Sequence, residues 1–427
     1  MKSFYIKTLG CKTNQIESDL ISEKLESLGK IKVDNIESAD IFILNSCSVT
    51  STADNDALKI LKRAKKENSN IYTILTGCFA QLEAENLKKY DFINLVLGNS
   101  EKMDIDKYLN SADTVYVSDI FAQKDFIYKK VEKPTKSRAY LKIQDGCNNR
   151  CSYCTIWKAR GKSRSCTLND IKEQVKIYTD NGFKEIVLTG IHIGQWGSDL
   201  SPQKSFMELI ELIENTDIKR FRLGSLNPFE LNDKLISHLA QSEKFCPHFH
   251  MSLQSACNKT LKSMNRHYTV EHYLEQIEQI NEIFTLPFIG SDIIVGFPDE
   301  SDKDFETTCI NIENSGLTMA HVFPYSIRKN TVAAEMPNQI SKEIKTHRAS
   351  ILRNIVSKKY ESFILKNLNT EHEVMFEQNK CKKTGYFKGL TENYITVYAD
   401  TNTDLRNSLQ KCVITDIHDN LPMVKTL

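Results

Sequence analysis

The chain has no long hydrophobic run. No segment approaches the eighteen or so consecutive apolar residues that a membrane span needs, and Met1 to Gly10 reads as a strand rather than a secretory signal. A charge excess is also missing: 56 Lys and Arg stand against 55 Asp and Glu, for a net charge of +1. Bulk electrostatics therefore announce no nucleic-acid partner, and any RNA-binding surface has to be local. Internal repeats and low-complexity tracts are absent. The twelve cysteines are no disulfide framework in a chain of this length and context. They indicate a reducing, cytoplasmic setting in which metal ligation or plain burial accounts for them. A length of 427 residues with 40% hydrophobic content suits about three domains with ample core.

The densest chemistry lies in Asp145-Gly146-Cys147-Asn148-Asn149-Arg150-Cys151-Ser152-Tyr153-Cys154. Three thiolates in a C-x3-C-x2-C pattern bind three irons of a [4Fe–4S] cube and leave the fourth iron open. An electron carrier would want a fourth cysteine, and structural zinc usually takes two C-x2-C pairs or neighbouring histidines. Neither occurs here. The pattern, with Tyr153 before its last cysteine, resembles the radical-SAM superfamily, whose open iron holds S-adenosylmethionine (SAM) by its amino and carboxylate groups.

Residues 1 to about 98 alternate strand and helix patterns and predict a parallel α/β layer, the body of an N-terminal domain placed at 1–125. Strands are expected at Phe4–Gly10, Asp40–Ser46, Ile71–Gly77 and Phe92–Leu97, with a connector from residue 99 to about 136. Cys11, Cys47 and Cys78 each follow the C-terminal end of a predicted strand. In a parallel sheet those ends share the edge where ligands bind. Three buried structural thiols are the alternative, but equivalent placement in successive βα units favours a second open iron–sulfur site.

From residue 135 to 368 six βα units predict a partial (β/α)6 barrel with its site at the strand C-termini. The strands are expected at Ala139–Gln144, Glu185–Gly190, Arg220–Leu226, His248–Gln254, Phe288–Phe297 and Met319–Ser326. Tyr153, Gly190, Ser225, Gln254, Val295 and Gly296 are the candidates for the SAM pocket at that mouth. Gly190 is read as letting the backbone approach a ligand; His192 is not taken as a ligand. One long helix, Ile340–Leu368, carries a strong basic bias, read as a solvated face or a phosphate contact. Residues 369–427 predict a small β-barrel of an RNA-binding kind. There Lys380, Lys382, Lys383 and Lys388 interleave with Tyr386 and Phe387, a mixture suited to phosphate contact and base stacking.

The whole order resembles the radical-SAM methylthiotransferase family, end to end. Thr8-Leu9-Gly10-Cys11-Lys12-Thr13-Asn14-Gln15, Asn45-Ser46-Cys47-Ser48-Val49-Thr50 and Thr76-Gly77-Cys78-Phe79-Ala80-Gln81 are similar to its three cysteine motifs. Ala159-Arg160-Gly161-Lys162-Ser163-Arg164-Ser165, Met264-Asn265-Arg266-His267-Tyr268-Thr269 and His321-Val322-Phe323-Pro324-Tyr325-Ser326 continue the likeness. The tail, with Gly389-Leu390-Thr391-Glu392-Asn393-Tyr394, resembles a TRAM domain. Cys11-Lys12-Thr13-Asn14 is most similar to the branch acting on threonylcarbamoyladenosine; the isopentenyladenosine branch typically has Gln-Met after the first cysteine. Trp157, where the family usually has proline, and Ala256-Cys257, where it has Gly-Ser, depart from the pattern.

The resemblance implies two [4Fe–4S] clusters and SAM. Cys147, Cys151 and Cys154 would hold the SAM-cleaving cluster, and Cys11, Cys47 and Cys78 a sulfur-holding one. It implies a tRNA substrate modified at adenosine 37 of the anticodon loop, and an electron donor such as flavodoxin or ferredoxin, with no role for DNA or a membrane. The alternatives are a methylthiotransferase for isopentenyladenosine-37 or for a ribosomal-protein aspartate, and a non-enzymatic iron–sulfur or zinc RNA-binding protein.

Overall fold

A computed structural model describes residues 1–427. The chain opens with β1 (Ser3–Thr8), α1 (Lys12–Ser27), β2 (Ile31–Lys32), β3 (Ile41–Ser46), α2 (Ser51–Glu67), β4 (Tyr72–Gly77), α3 (Cys78–Leu87), β5 (Leu95–Leu97) and β6 (Val115–Tyr116). These strands form one parallel sheet in the order β2-β1-β3-β4-β5-β6. The unbroken apolar run Ile41–Leu44 is buried on both faces, which is why β3 takes a central place. The chain leaves β1 for one edge and returns to β3 on the other side. That reversal opens a crevice beyond the C-terminal ends of β1 and β3. Two expectations change here. The fourth strand is only Leu95–Leu97, and the supposed connector contributes β6, where Val115 pairs with Val96.

The second unit runs β7 (Ala139–Lys142), β8 (Gln144–Asp145), α4 (Ile156–Arg160), β9 (Arg164–Ser165), α5 (Leu168–Asp180), β10 (Glu185–Thr189), α6 (Phe206–Glu214), β11 (Arg220–Arg222), β12 (Ser225–Leu226), α7 (Asp233–Gln241), β13 (His248–Met251), α8 (Asn258–Ser263), α9 (Val270–Ile283), β14 (Phe288–Val295), α10 (Asp302–Asn314), β15 (Met319–Pro324), α11 (Val332–Glu335) and α12 (Lys342–Lys366). The third expected strand is split. Its first half pairs with β10 and its second with β13, giving parallel sheets β7-β10-β11 and β12-β13-β14-β15. Gly224 sits at the break, where a Cβ would stand 2.8 Å from the Leu188 carbonyl oxygen. The outward faces of these strands and the apolar stripes of the helices share one large core. The antiparallel ribbon β8–β9 brackets the cysteine loop.

The third unit is a closed five-stranded barrel of β16 (Glu371–Phe376), β17 (Phe387–Thr391), β18 (Thr396–Ala399), β19 (Leu409–His418) and β20 (Leu421–Thr426), ordered β16-β17-β18-β20-β19. It docks where the strands of the second unit begin. Arg220 and Arg222, two apart and so on one face of β11, donate to the carbonyls of Glu373, Leu390, Thr391 and Glu392. Glu185, opposite Arg220 in register, pairs with both at 2.7 and 2.8 Å.

Helix α12 spends its basic residues largely on packing. Arg348 pairs with Glu300 and Asp302, Arg353 donates to the Val322 carbonyl, and Lys359 donates to the Glu313 and Ser315 carbonyls. This corrects the phosphate-contact reading for those three residues.

Candidate active site

The first cysteine triad gathers at the sheet crevice. Cys11 is the residue before α1, Cys47 follows β3, and Cys78 opens α3. Gly10 has φ +94°, and a Cβ there would lie 2.9 Å from Cys47 Sγ, so glycine lets the first two motifs close up. Asn14 Nδ2 ties them together by donating to the carbonyls of Leu9 and Ser46, at 2.8 and 3.0 Å. Gly77, also at φ +94°, has the Ser46 backbone and Asn45 Oδ1 where a side chain would go. Burial, together with the neighbouring Cys78 and Cys11, pushes the Cys47 thiol up to about 11. Burial raises Cys78 against the opposing pull of Arg160.

The second triad sits on the loop between β8 and β9, after the first barrel strand. The Cys147 amide donates to the Gly161 carbonyl, Cys154 to Cys151, and Ser152 to Met264. Burial and the neighbouring Cys151 push the Cys154 thiol up to about 12. Thiols held this high must lose protons to ligate, so loading iron releases protons. No three Cys, His, Asp or Glu side chains close tightly enough around a point to hold one metal ion.

A cavity of about 230 Å³ is lined by Val49, Thr50, Tyr153, Gln254, Asp292, Ile294, Phe323, Pro324, Tyr325 and Ser326. One wall begins two residues after Cys47, at Val49, and another carries Tyr153, between Cys151 and Cys154. Nearby contacts join the two units: Arg328 bridges Asp54 and Ser48, each at 2.7 Å, and Thr155 donates to the Ser48 carbonyl at 3.3 Å. Phe323 leaves 44% of its surface exposed at this mouth.

The expected SAM residues are dispersed. Tyr153 and Gln254 line the cavity, and Gln254 holds a left-handed φ of 69° there. Val295 is buried in the core. Gly190 makes room for Gln144, whose backbone and side-chain oxygens both lie 2.9 Å from where a Cβ would stand. Gly296 makes room for Lys345, and Ser225 is exposed and bonded to Ser252.

Four polar residues were missed. His192 Nδ1 lies 3.7 Å from Cys147 Sγ, while its Nε2 meets Glu230 and Asn227. Burial opposes a charge on His192, yet the contacts with Cys147 and Glu230 prevail and raise it to about 9. Arg266 Nη1 donates to Cys151 Sγ at 3.2 Å, and its Nη2 meets Asn227. The segment Met264–Thr269 was visible in the sequence, but only the fold brings its arginine to a cysteine 115 residues away along the chain.

In the tail, Lys380, Lys382 and Lys383 are exposed on the loop from β16 to β17, with Tyr386 half-buried. Phe387 corrects the sequence reading: it is 3% exposed in the barrel core, and Lys380 Nζ covers its ring at 4.1 Å, so no base can stack on it. Lys388 is paired with Glu377 at 3.3 Å.

A parallel-sheet domain, a half-open barrel with a three-cysteine loop at its strand ends, and a shared cavity define a radical-SAM protein. Residues 141–310 match the radical SAM superfamily, and residues 3–98 match an uncharacterized protein family, UPF0004. The threonylcarbamoyladenosine tRNA methylthiotransferase MtaB of Aquifex aeolicus is 36% identical, with 92% of this chain and 95% of that protein covered. Its Bacillus subtilis counterpart is 32% identical over 97% of this chain and 94% of that one. A tRNA-2-methylthio-N(6)-dimethylallyladenosine synthase of Clostridium botulinum is 35% identical, covering 83% of this chain and 81% of its own. Among solved structures, the radical SAM methyltransferase TsrM of Kitasatospora setae shares the fold, with a TM-score of 0.56 at 11% identity over 78% of this chain and 77% of that one. The chain belongs to the radical-SAM methylthiotransferase family.

Proposed function

We propose that this chain places a methylthio group on C2 of N6-threonylcarbamoyladenosine at position 37 of tRNA, in the cytoplasm. The observation that carries the reading is a cavity lined from both cysteine motifs, by Val49 and Thr50 on one side and Tyr153 on the other. In this reading Cys147, Cys151 and Cys154 hold a [4Fe–4S] cluster with SAM, and Cys11, Cys47 and Cys78 hold a second cluster that carries the sulfur. The SAM-bearing cluster supplies one-electron chemistry for a C–H bond that no acid–base side chain removes.

The donor sets fit such groups. Thr13 Oγ1, Asn45 Oδ1 and Arg160 Nε are buried beside the first triad without hydrogen-bond partners, a pattern that calls for a polar occupant. Beside the second triad, the Arg266 guanidinium favours an anionic ligand set. The chain's own residues then bind and shield. An anticodon-loop base splays out at modest cost, Phe323 offers an exposed ring at the mouth, and the Asp54–Arg328–Ser48 bridge ties the first unit to the segment after β15. Lys380, Lys382 and Lys383 would contact tRNA phosphates, which position the substrate without reading its sequence. An electron donor such as flavodoxin or ferredoxin supplies the reducing electron.

Lys12-Thr13 after Cys11, and relatives named for threonylcarbamoyladenosine that cover more of the chain, favour that nucleoside over isopentenyladenosine. Anaerobically reconstituted protein, given SAM and a reductant, should convert tRNA bearing threonylcarbamoyladenosine and leave tRNA bearing isopentenyladenosine unmodified. Mass spectrometry of the digested nucleosides reads both; conversion of the second substrate alone overturns the assignment.

A further inference from the structure

Arg160 follows the second cysteine loop in sequence, yet its side chain ends in the first unit. It closes α4, which starts two residues after Cys154, and it is fully buried. Its Nη2 donates to Asn14 Oδ1 at 2.5 Å and to Glu17 Oε2 at 3.0 Å, and its Nη1 meets Glu17 as well. Asn14 is the residue whose amide joins the backbones next to Cys11 and Cys47. One residue from the barrel thus reaches the support of two cysteines of the sheet, Cys11 and Cys47.

The charges around Arg160 do not balance. Lys102 and Lys142 pair with Glu17 at 2.5 and 2.9 Å, Lys142 also meets Asp145 at 2.8 Å, and Arg164 lies 3.7 Å from Asp145. Lys102, Lys142, Arg160 and Arg164 therefore share only Glu17 and Asp145. A buried excess of positive charge is costly unless a further anion sits against it. The thiolates of the first triad, and what they bind, are neighbouring groups able to supply one. Arg160 Nε, buried with no partner, is consistent with a missing acceptor at that point.

We propose that Arg160 is a positioning residue for the cluster of Cys11, Cys47 and Cys78, acting from the barrel across the domain boundary: it locks Asn14 and raises that cluster's reduction potential with its charge. Reduction adds negative charge, so a nearby buried cation favours the reduced state, and net charge and hydrogen bonding set such potentials. Lys102 contributes in the same direction and Glu17 in the opposite one. The inference rests on the two-cluster reading above.

The test uses the full chain carrying C147A, C151A and C154A, so that only the first triad can hold iron. Iron analysis and an EPR-monitored potentiometric titration are read for this parent and for added Arg160→Gln, Arg160→Lys, Lys102→Met and Glu17→Gln. The parent should hold about four irons; a parent without iron contradicts the two-cluster reading itself. Given iron, Arg160→Gln should lower the midpoint potential, Lys102→Met should lower it less, Glu17→Gln should raise it, and Arg160→Lys should restore most of the parent value. A purely structural ion pair would reduce iron content or thermal stability while leaving the potential of the remaining cluster unchanged. Unchanged potentials in variants that keep about four irons overturn the proposal. Should Arg160→Gln fail to fold, the opposite signs expected for Lys102→Met and Glu17→Gln still decide it.

Discussion

Tyr394, on the turn between β17 and β18, stacks on His248 at the start of β13 with ring centroids 3.9 Å apart. The turn that carries it also supplies the carbonyls gripped by Arg220 and Arg222. The small barrel is therefore a plug at the strand-start end of the larger one, as well as the bearer of three exposed lysines.

These two roles separate by mutation. Tyr394→Ala should cost on the order of 2 kcal/mol of stability through lost aromatic burial, with tRNA affinity of the folded fraction unchanged. Replacing Lys380, Lys382 and Lys383 with alanine should weaken tRNA binding while lowering Tm only slightly, through the Lys380 contact with the Phe387 ring. The log–log salt slope should fall by about 2 if all three contact phosphates. Affinity and slope that both stay at the wild-type values eliminate this loop as the RNA grip.

Phe387→Ala tests the corrected role of that ring. As a core residue of the small barrel it should cost about 3 kcal/mol, read as a shift in denaturant midpoint. A variant of native stability with weakened RNA binding would restore the stacking role.

Glu185 gives a pH prediction. Burial alone would raise its pKa, but Arg222 and Arg220 prevail and bring it from an ordinary 4.5 to about 2. A depressed carboxyl contributes stability that is present in full above its unfolded value and is lost as pH falls through its folded value. Its contribution should therefore fade between pH 4.5 and about 2. Glu185→Gln should be less stable than wild type by about 3 kcal/mol at pH 7, and the gap should narrow on acidification through that window. A gap independent of pH would show that Glu185 acts by shape alone.

The two triads should separate by role. Replacing Cys147, Cys151 and Cys154 with alanine should leave about four irons and abolish SAM cleavage. Replacing Cys11, Cys47 and Cys78 should also leave about four irons and preserve SAM cleavage, while methylthio product disappears. Product at the normal rate from the second variant rules out the sulfur-holding role.

Much of this architecture was legible because its signals are local. Continuous apolar runs such as Ile41–Leu44 mark buried parallel strands, and a cysteine after each strand end announces a shared edge. What escaped depends on contacts distant in sequence. Gly190 and Gly296 were read as ligand glycines, whereas each clears space for a side chain, Gln144 and Lys345, that sequence cannot place. Phe387 alternates with Lys388 along a strand, and only barrel closure decides that its ring faces inward. Arg160 lay in a quoted motif, but its meeting with Asn14 and Glu17 spans two domains.

The central claim concerns which nucleoside is changed, and nucleoside mass spectrometry of tRNA from a strain lacking this gene tests it most directly. The account predicts loss of the 2-methylthio derivative of N6-threonylcarbamoyladenosine and accumulation of its unmodified precursor, with restoration by the wild-type gene and none by a Cys11→Ala copy. An unchanged level of that derivative, with the methylthio form of isopentenyladenosine lost instead, would contradict it.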